Sequence, residues 1–125
     1  MKNKIITIII LFIFQFSNVA LSEAFFLESK NIEILKEGDQ INAYKGKAIS
    51  NDNNLEINSD EFIYLKNLDL LKSIGNGLAL IKSEKIKIKY DNAIFDQKNS
   101  NIKANGNVEI FQIDGSYIIK NDEIF

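Results

Sequence analysis

Residues 85–89 read Lys85-Ile86-Lys87-Ile88-Lys89 and alternate strictly between charged and apolar side chains. Such alternation places one row of side chains on each face of a β-strand, because successive residues of a strand point to opposite sides. The same alternation recurs at residues 31–34 and 55–58. β-Branched and aromatic residues are common along the chain and suit a pleated surface. These features predict an all-β fold.

Turn-forming residues punctuate the predicted strands at residues 37–39, 51–54, 76–77, 105–106 and 114–115. Asn-Gly and Asp-Gly pairs favour tight hairpin turns, because both residue types tolerate a positive φ. After residue 25 no stretch has a convincing helical stripe, although residues 65–71 could form one short helical turn. We therefore expect turns at all five positions.

A repeat of about 31 residues organises the predicted strands. Asp60, Asp91 and Asp122 are evenly spaced, since 91 − 60 and 122 − 91 are both 31. Five and three residues before each aspartate lie apolar pairs, which are Leu55 with Ile57, Ile86 with Ile88, and Tyr117 with Ile119. A second set of strands begins at Gly46, Gly77 and Gly106, followed two residues later by Ala48, Ala79 and Val108. Stacked units of this kind bury jointly an apolar face that each alone would expose, and the last unit is incomplete.

The first residues have the layout of a secretory signal peptide. Lys2 and Lys4 precede a mostly apolar run at residues 5–16, and small residues follow it. As a helix the run is about 18 Å long, which is short for a bilayer core of about 30 Å. We therefore expect export to the periplasm, with an uncleaved membrane anchor as the alternative.

Two cleavage positions fit the small residues of this leader. Cleavage after Ser22 uses Ala20 and Ser22, whereas cleavage after Ala24 uses Ser22 and Ala24. We take residues 1–22 as the signal peptide and residues 23–125 as the mature domain. Its net charge is then (15 − 2) − 17 = −4, because the leader holds two lysines and no acidic residue.

The composition excludes several kinds of catalytic site. There is no histidine and no cysteine, so Ser-His-Asp triads, Cys-His pairs and thiolate metal sites cannot form within the chain. We expect no catalytic residue, no metal and no cofactor, and hence no enzyme. The acidic net charge argues against nucleic acid as a partner. Residues 51–54 are rich in Asn and Asp but lack the terminal glutamate of a calcium loop, so we interpret them as a turn.

Residues 90–96 and 102–110 resemble the OstA-like family of lipopolysaccharide transport modules. They read Tyr90-Asp91-Asn92-Ala93-Ile94-Phe95-Asp96 and Ile102-Lys103-Ala104-Asn105-Gly106-Asn107-Val108-Glu109-Ile110. The pattern is similar to the family's Asp-x-Ala-x-aromatic-Asp strand, which leads into an Ala-x-Gly-Asn-Val strand. A weaker copy occupies residues 59–64 and 73–79. The resemblance covers roughly residues 26–125.

The resemblance implies an open twisted β-jellyroll, or β-roll, of stacked antiparallel strand repeats. In this family two sheets form a V around an apolar groove, which carries lipid acyl chains across the Gram-negative periplasm towards the outer membrane. The partners implied are lipopolysaccharide and the inner-membrane and outer-membrane proteins of the same transport system. The chain then corresponds to the soluble bridge protein, to an N-terminal piece of the outer-membrane translocon protein, or to a membrane-anchored relative. A structural β-solenoid interaction module with a closed core and no lipid is the competing interpretation.

The apolar rows supply the candidate groove residues, which an ordinary closed core would explain equally well residue by residue. The candidates are Leu55, Ile57, Leu78, Leu80, Ile86, Ile88, Val108, Ile110, Tyr117 and Ile119. Lys82, Lys85, Lys87 and Lys89 could meet phosphates at a groove rim, but Lys85, Lys87 and Lys89 fit one solvated strand face better. For the three repeated aspartates we expect local hydrogen bonds to backbone amides.

Neither end of the predicted roll is protected by proline, which the chain lacks entirely. Exposed strand edges are templates for pairing with another chain. We therefore expect head-to-tail contacts, including self-association, in which Ile118 and Ile119 of one molecule lie near Ile32 and Ile34 of the next.

Overall fold

The computed structural model describes residues 24–124, with the side chains of Tyr117 and residues 119–124 outside the description. One antiparallel sheet runs through this part of the chain, and each of its seven strands pairs with the next in sequence. The strands are β1 (Phe25–Leu35), β2 (Gln40–Ser50), β3 (Leu55–Leu65), β4 (Leu70–Ile81), β5 (Ile86–Asp96), β6 (Asn101–Gln112) and β7 (Tyr117–Ile124). The described residues contain no α-helix, only single 3₁₀ turns at Lys36–Gly38 and Lys66–Leu68. The prediction of an all-β fold is confirmed.

The six connections lie on two rims of the sheet. Residues 36–39, 66–69 and 97–100 form what we call the lower rim, and residues 51–54, 82–85 and 113–116 form the upper rim. The turns predicted at 37–39, 51–54 and 114–115 are therefore confirmed. Those predicted at 76–77 and 105–106 are wrong, because both pairs lie inside long strands, β4 and β6.

The pairing register shifts near the middle of four long strands, β3, β4, β5 and β6, whereas the pairing of β1 with β2 and of β2 with β3 keeps one register. The shifts lie between Asn58 and Glu61, between residues 74 and 77, between 89 and 92, and between 105 and 108. At two of them a Gly-Asn pair adopts positive φ, at Gly75-Asn76 and at Gly106-Asn107. These residues tolerate the left-handed conformation. Here they serve a line of bulges, which we call the bend, that divides the sheet into an upper and a lower half.

The sheet folds over along the bend. Phe25, at the upper end of β1, contacts Tyr64, at the lower end of β3, with ring centroids 5.8 Å apart and planes at 86°. Nine residues separate Leu55, at the upper end of β3, from Tyr64, and a flat strand of that length would span about 30 Å. An upper-end residue of β1 can therefore reach Tyr64 only because the two halves face each other.

The residues between the two halves form the core. In the upper half a row of paired residues crosses strands β1 to β6, and each member pairs with the next: Leu27, Ala48, Ile57, Ala79, Ile88 and Ile110. The backbone of Ile119 continues this pairing into β7. The lower half contributes Phe62, Tyr64, Leu71 and Phe95, which are buried with the small residues Ala43, Ser73, Ala93 and Ala104. Large and small side chains alternate between neighbouring strands, and together they fill the space between the two halves of the sheet at the density of a protein interior.

The bend also changes which residues face inwards. In β3 the buried positions are odd-numbered before Asp60, as at Ile57, and even-numbered after it, as at Phe62. In β5 the change runs from Ile88 to Ala93. This change of alternation coincides with the register shifts at the bend, so both halves turn their apolar side chains to the same interior.

Candidate functional site

A mouth opens into the interior where the upper rim faces the lower rim. It encloses about 200 Å³. Leu55 and Ile81 contribute from the upper half, and Phe95 and Ile102 contribute from the lower half. Polar residues surround this apolar floor: Ser50, Asp52, Asn54, Asp96, Gln97, Ser100 and Asn101. The mouth therefore joins an apolar interior to a hydrated rim.

Two ionised carboxylates, Asp52 and Asp96, lie on the polar edge of the mouth. Asp52 accepts hydrogen bonds from the Ser50 hydroxyl at 2.6 Å and from the Asn54 backbone N–H at 3.0 Å. These bonds stabilise the charged form and lower the pKa of Asp52 below its usual range, the Ser50 hydroxyl contributing most. Side-chain and backbone hydrogen bonds from Asn99 lower the pKa of Asp96 in the same way. Both groups stay ionised at neutral pH, and the described side chains include no group of three or more His, Cys, Asp or Glu residues that could hold a metal ion.

Most of the predicted groove residues lie on the inner face. Ile57 and Val108 are fully buried, and Leu55 and Ile88 are nearly so. Ile86 and Ile110 are half-buried on the same face, since Ile86 pairs with Ile81 and Ile110 with Ile88. The interior is therefore closely packed behind the mouth.

Leu78 and Leu80 lie on the opposite, outer face. They flank the buried Ala79 in β4 and pair with Asn58 and Glu56 of β3. Ala79 takes the inward position because it lies between Ile57 and Ile88, where two large neighbours leave room for a methyl group. The two leucines therefore do not join the inner row, and only the tertiary arrangement shows this.

The remaining two groove candidates belong to β7. Ile119 pairs with Ile110, and Tyr117 pairs with Phe111. Their side chains lie outside the described residues, so their place in a groove stays a prediction.

The repeated aspartates lie at the bend and accept hydrogen bonds from side-chain amides. Asn76 donates from Nδ2 to Asp60 at 2.8 Å, and Asn107 donates from Nδ2 to Asp91 at 3.2 Å. The expected bonds to backbone amides at turns are thus replaced by Asp–Asn pairs between neighbouring strands. The side chain of Asp122, the third of the set, lies outside the described residues.

The structural repeat differs from the predicted one in its glycines. Gly75 and Gly106 are equivalent, because both have positive φ and both lie against the aspartate of the preceding strand. Their spacing is 106 − 75 = 31, whereas Gly77 and Gly106 are only 29 residues apart. Gly77 is instead equivalent to Gly46, at 77 − 46 = 31. Pairing Gly77 with Gly106 was therefore wrong.

The opposite wall of the interior was missed from the sequence. It consists of Phe62, Tyr64, Leu71 and Phe95. Burial raises the pKa of the neighbouring Tyr90 phenol, which donates a hydrogen bond to the Ser73 hydroxyl at 2.8 Å. The alternation of apolar residues after each aspartate, displaced by one position, was the signal that could have revealed this wall.

The lysine cluster is divided between two locations. Lys82 and Lys85 lie in an upper-rim turn, where the Lys82 ammonium donates to the Asn53 side-chain oxygen at 3.2 Å. Lys87 and Lys89 flank the inward-facing Ile88 and so lie on the outer face of β5. None of them lines the mouth.

The lower end of β1 exposes apolar side chains that belong to the inner face. Ile32 pairs with the buried Ala43, and Ile34 pairs with Ile41. They are nevertheless 44% and 68% exposed. The upper part of β1 packs over β3 through Phe25, which leaves its lower part uncovered. At the other end of the sheet Ile118 is 47% exposed.

A scan against protein-family models found no match to this chain, and a search of curated proteins found no relative. Within residues 24–124 no helix has the length and apolar character needed to cross a bilayer.

Proposed function

We propose that the protein is an exported, non-catalytic module that carries the acyl chains of lipopolysaccharide between the two halves of its sheet. In this proposal the folded sheet is an open twisted β-jellyroll, and the module serves outer-membrane assembly in the periplasm of a Gram-negative cell. Its partners are the inner-membrane and outer-membrane proteins of the same transport system. No nucleic acid, metal or cofactor takes part.

The mouth between the two rims carries this proposal. Its floor is apolar and its edge is polar and ionised. Each CH₂ group moved from water into such an interior gains about 0.8 kcal/mol, while a sugar head group at the rim remains in water. Among the described side chains, the buried polar groups are the hydroxyls of Ser50, Ser59 and Ser73 and those of the buried tyrosines Tyr64 and Tyr90. No buried charge of the described residues would therefore oppose an acyl chain.

The size of the mouth sets a condition on this function. Ligand pockets usually measure about 300–1,000 Å³, and the mouth encloses about 200 Å³. The two halves must therefore move apart at the rims when lipid binds, with the bend as the hinge. The two rims lie at opposite ends of the strands. Rotation of the upper half away from the lower half about the bend therefore preserves the hydrogen bonds between strands within each half.

Photo-crosslinking at two adjacent residues of β4 tests the proposal. A photoreactive residue at Ile81 points into the mouth, whereas one at Leu80 lies on the outer face of the same strand. With purified lipopolysaccharide we expect crosslinks from position 81 and only background from position 80. Equal labelling at both positions, or none at position 81 in a folded variant, contradicts the proposal.

A second experiment uses the inner row. Replacing Ile88 by Asp places a carboxylate in an apolar interior without a partner, which weakens lipid binding. The change also strains the core, so the variant is compared with the parent by thermal unfolding before binding is measured. A folded Ile88→Asp variant that binds lipopolysaccharide as the parent does would also argue against the proposal.

The structural module with a closed core is the second candidate. It is favoured by one observation, the complete burial of Ile57, Phe62 and Val108. In that case neither position of β4 labels lipid, and the apolar interior only stabilises the fold.

A further inference from the structure

The outer face of the upper half carries apolar side chains that the lipid mouth does not use. Phe26 is 45% exposed on this face. The partly exposed members are Ile49, Leu78, Leu80 and Phe111. All seven strands belong to one sheet that folds with its other face inwards, so no described strand covers this side. Apolar side chains gathered on an uncovered sheet face are typical of an interaction surface.

The outer residues nearest the upper rim form a row that is centred on β4. Leu80 of β4 lies between Glu56 of β3 and Lys87 of β5. One strand further out lie Ile49 of β2 and Phe111 of β6. Reversing this row about Leu80 therefore exchanges a carboxylate with an ammonium group, and one large apolar side chain with another.

A second outer row, nearer the bend, has the same symmetry. Leu78 of β4 lies between Asn58 and Lys89. One strand further out lie Lys47 of β2 and Glu109 of β6. In both rows, the β2, β3, β5 and β6 positions that are equidistant from β4 thus never carry like charges.

We infer that two copies of this chain form a dimer in which these outer faces pack together about a twofold axis that runs along β4. Such an axis places each residue of one copy opposite the equidistant residue of the second copy, as in an isologous interface. Glu56 then faces Lys87 of the second copy, and Lys47 faces Glu109. The two leucines of β4 meet their own counterparts at the axis. Facing sheets pack about 10 Å apart, with side chains from both sheets filling the space between them.

An ion pair within each copy strengthens this arrangement. Lys47 and Glu56 form a salt bridge of 3.1 Å on the outer face. In the dimer, Glu109 and Lys87 of the second copy lie opposite these two residues and extend the pair to a network of four charges. Exposed ion pairs contribute most when several charges form a network.

A twofold axis across the strands does not fit the same face. It would exchange the two rows, so that Lys87 faces Lys89 of the second copy and Phe111 faces Glu109. Like charges in contact oppose association, and a carboxylate against an aromatic ring loses hydration without gaining a partner. The charge pattern therefore selects the direction of the axis as well as the face.

The dimer leaves the mouth of each copy open, because none of the residues in the two outer rows lines it. It is also distinct from head-to-tail contact at the sheet edges, since it closes at two copies. The inference therefore goes beyond lipid transport, and labelling of lipid from Ile81 tests that function separately.

Charge reversal on the two sides of β4 tests the dimer by sedimentation velocity. An Ile34→Asp background removes association at the sheet edge, and we expect this protein to form dimers. Lys87→Glu and Glu56→Lys should each weaken dimerisation at least about tenfold, because each places like charges opposite one another. An equimolar mixture of the two variants should regain dimers, since every reversed residue then faces an opposite charge on the other chain.

Recovery in the mixture also shows that both variants are folded. A photoreactive residue at Leu80 should join two copies, whereas one at Ile94, on the outer face of the lower half, is the control and should not. A background protein that stays monomeric up to about 1 mM overturns the inference. So does a mixture that associates no better than its components.

Discussion

Gly77 allows a buried aromatic ring to pack directly against the backbone of a neighbouring strand. Its backbone lies directly against the ring of Tyr90, which fills the space that a side chain would occupy. Tyr90 in turn donates to Ser73 and packs against Phe95 with ring centroids 6.1 Å apart. The φ of Gly77 lies outside the left-handed range that favours glycine, so the backbone conformation does not require a glycine here. The requirement comes from the close approach of the Tyr90 ring.

Replacing Gly77 by Ala tests this close approach. A methyl group there overlaps the Tyr90 ring, and overpacking of this kind lowers the free energy of unfolding by about 1–3 kcal/mol. Urea denaturation measures the loss. In a Tyr90→Leu background the added methyl group meets a smaller side chain, so the penalty of Gly77→Ala should fall to within about 0.5 kcal/mol. A penalty of the same size in both backgrounds would show that Tyr90 is not the obstacle.

At the scale of the strand, the bend decides which residues are buried. The change of alternation at the register shift between Lys89 and Asn92 lets Ile88 and Phe95 of one strand face the same interior, although one has an even number and the other an odd number. A regular strand would turn one of them outwards. The bulge is therefore a structural requirement of the fold.

Deleting Asn92 removes this displacement. Ala93 and Phe95 then turn to the outer face, and Phe95 alone contributes about 1.5–3 kcal/mol through its burial, a large share of a total of about 5–15 kcal/mol. We expect the deletion variant to lose its cooperative thermal transition. The matched control is Asn92→Ala, which keeps the alternation at an exposed position and should stay within about 0.5 kcal/mol of the parent. A deletion variant that melts like the control contradicts the role of the bulge.

At the scale of the whole molecule, the two ends of the sheet carry uncovered apolar side chains and an unpaired strand edge. Phe25 of β1 covers Tyr64 of β3, so the lower part of β1 exposes Ile32 and Ile34 on the inner side. β7 pairs only with β6 in the sheet. An apolar surface of this kind at a sheet edge favours strand addition by a second module. Head-to-tail contact remains our prediction for how modules meet.

Substitution of Ile34 by Asp tests this assembly. Ile34 is 68% exposed, so the change should alter the stability of the single molecule little while it lowers concentration-dependent self-association at least about tenfold. Sedimentation velocity over a range of concentrations measures the association. Leu68→Asp is the control, since Leu68 is 55% exposed but lies in a lower-rim turn away from the sheet edges. If both variants associate like the parent, and a photoreactive residue at Ile118 labels no partner, the head-to-tail contact is wrong.

The sequence by itself determined the local features of this protein. Alternation at residues 85–89 predicted strand β5, and the spacing of Asp60 and Asp91 predicted a repeat that the structure retains at the bend. The turns at 37–39, 51–54 and 114–115 were predicted, and the short helical turn expected within residues 65–71 is present at Lys66–Leu68. The turns at 82–85 and 97–100 were not predicted, because Lys85 and Ser100 adopt the left-handed conformation there. Such residues give a weaker turn signal than glycine does.

Only the tertiary structure decided where the strands bend and what the bend encloses. Adjacent Asn and Gly residues serve a hairpin or a mid-strand bulge equally well, because both need a positive φ, and the choice depends on strand pairing far along the chain. The same holds for the adjacent apolar residues Leu80 and Ile81. Leu80 lies on the outer face, whereas Ile81 lines the mouth. Which face becomes the interior is settled when the two halves pack together, since burial depends on partners that local sequence does not specify.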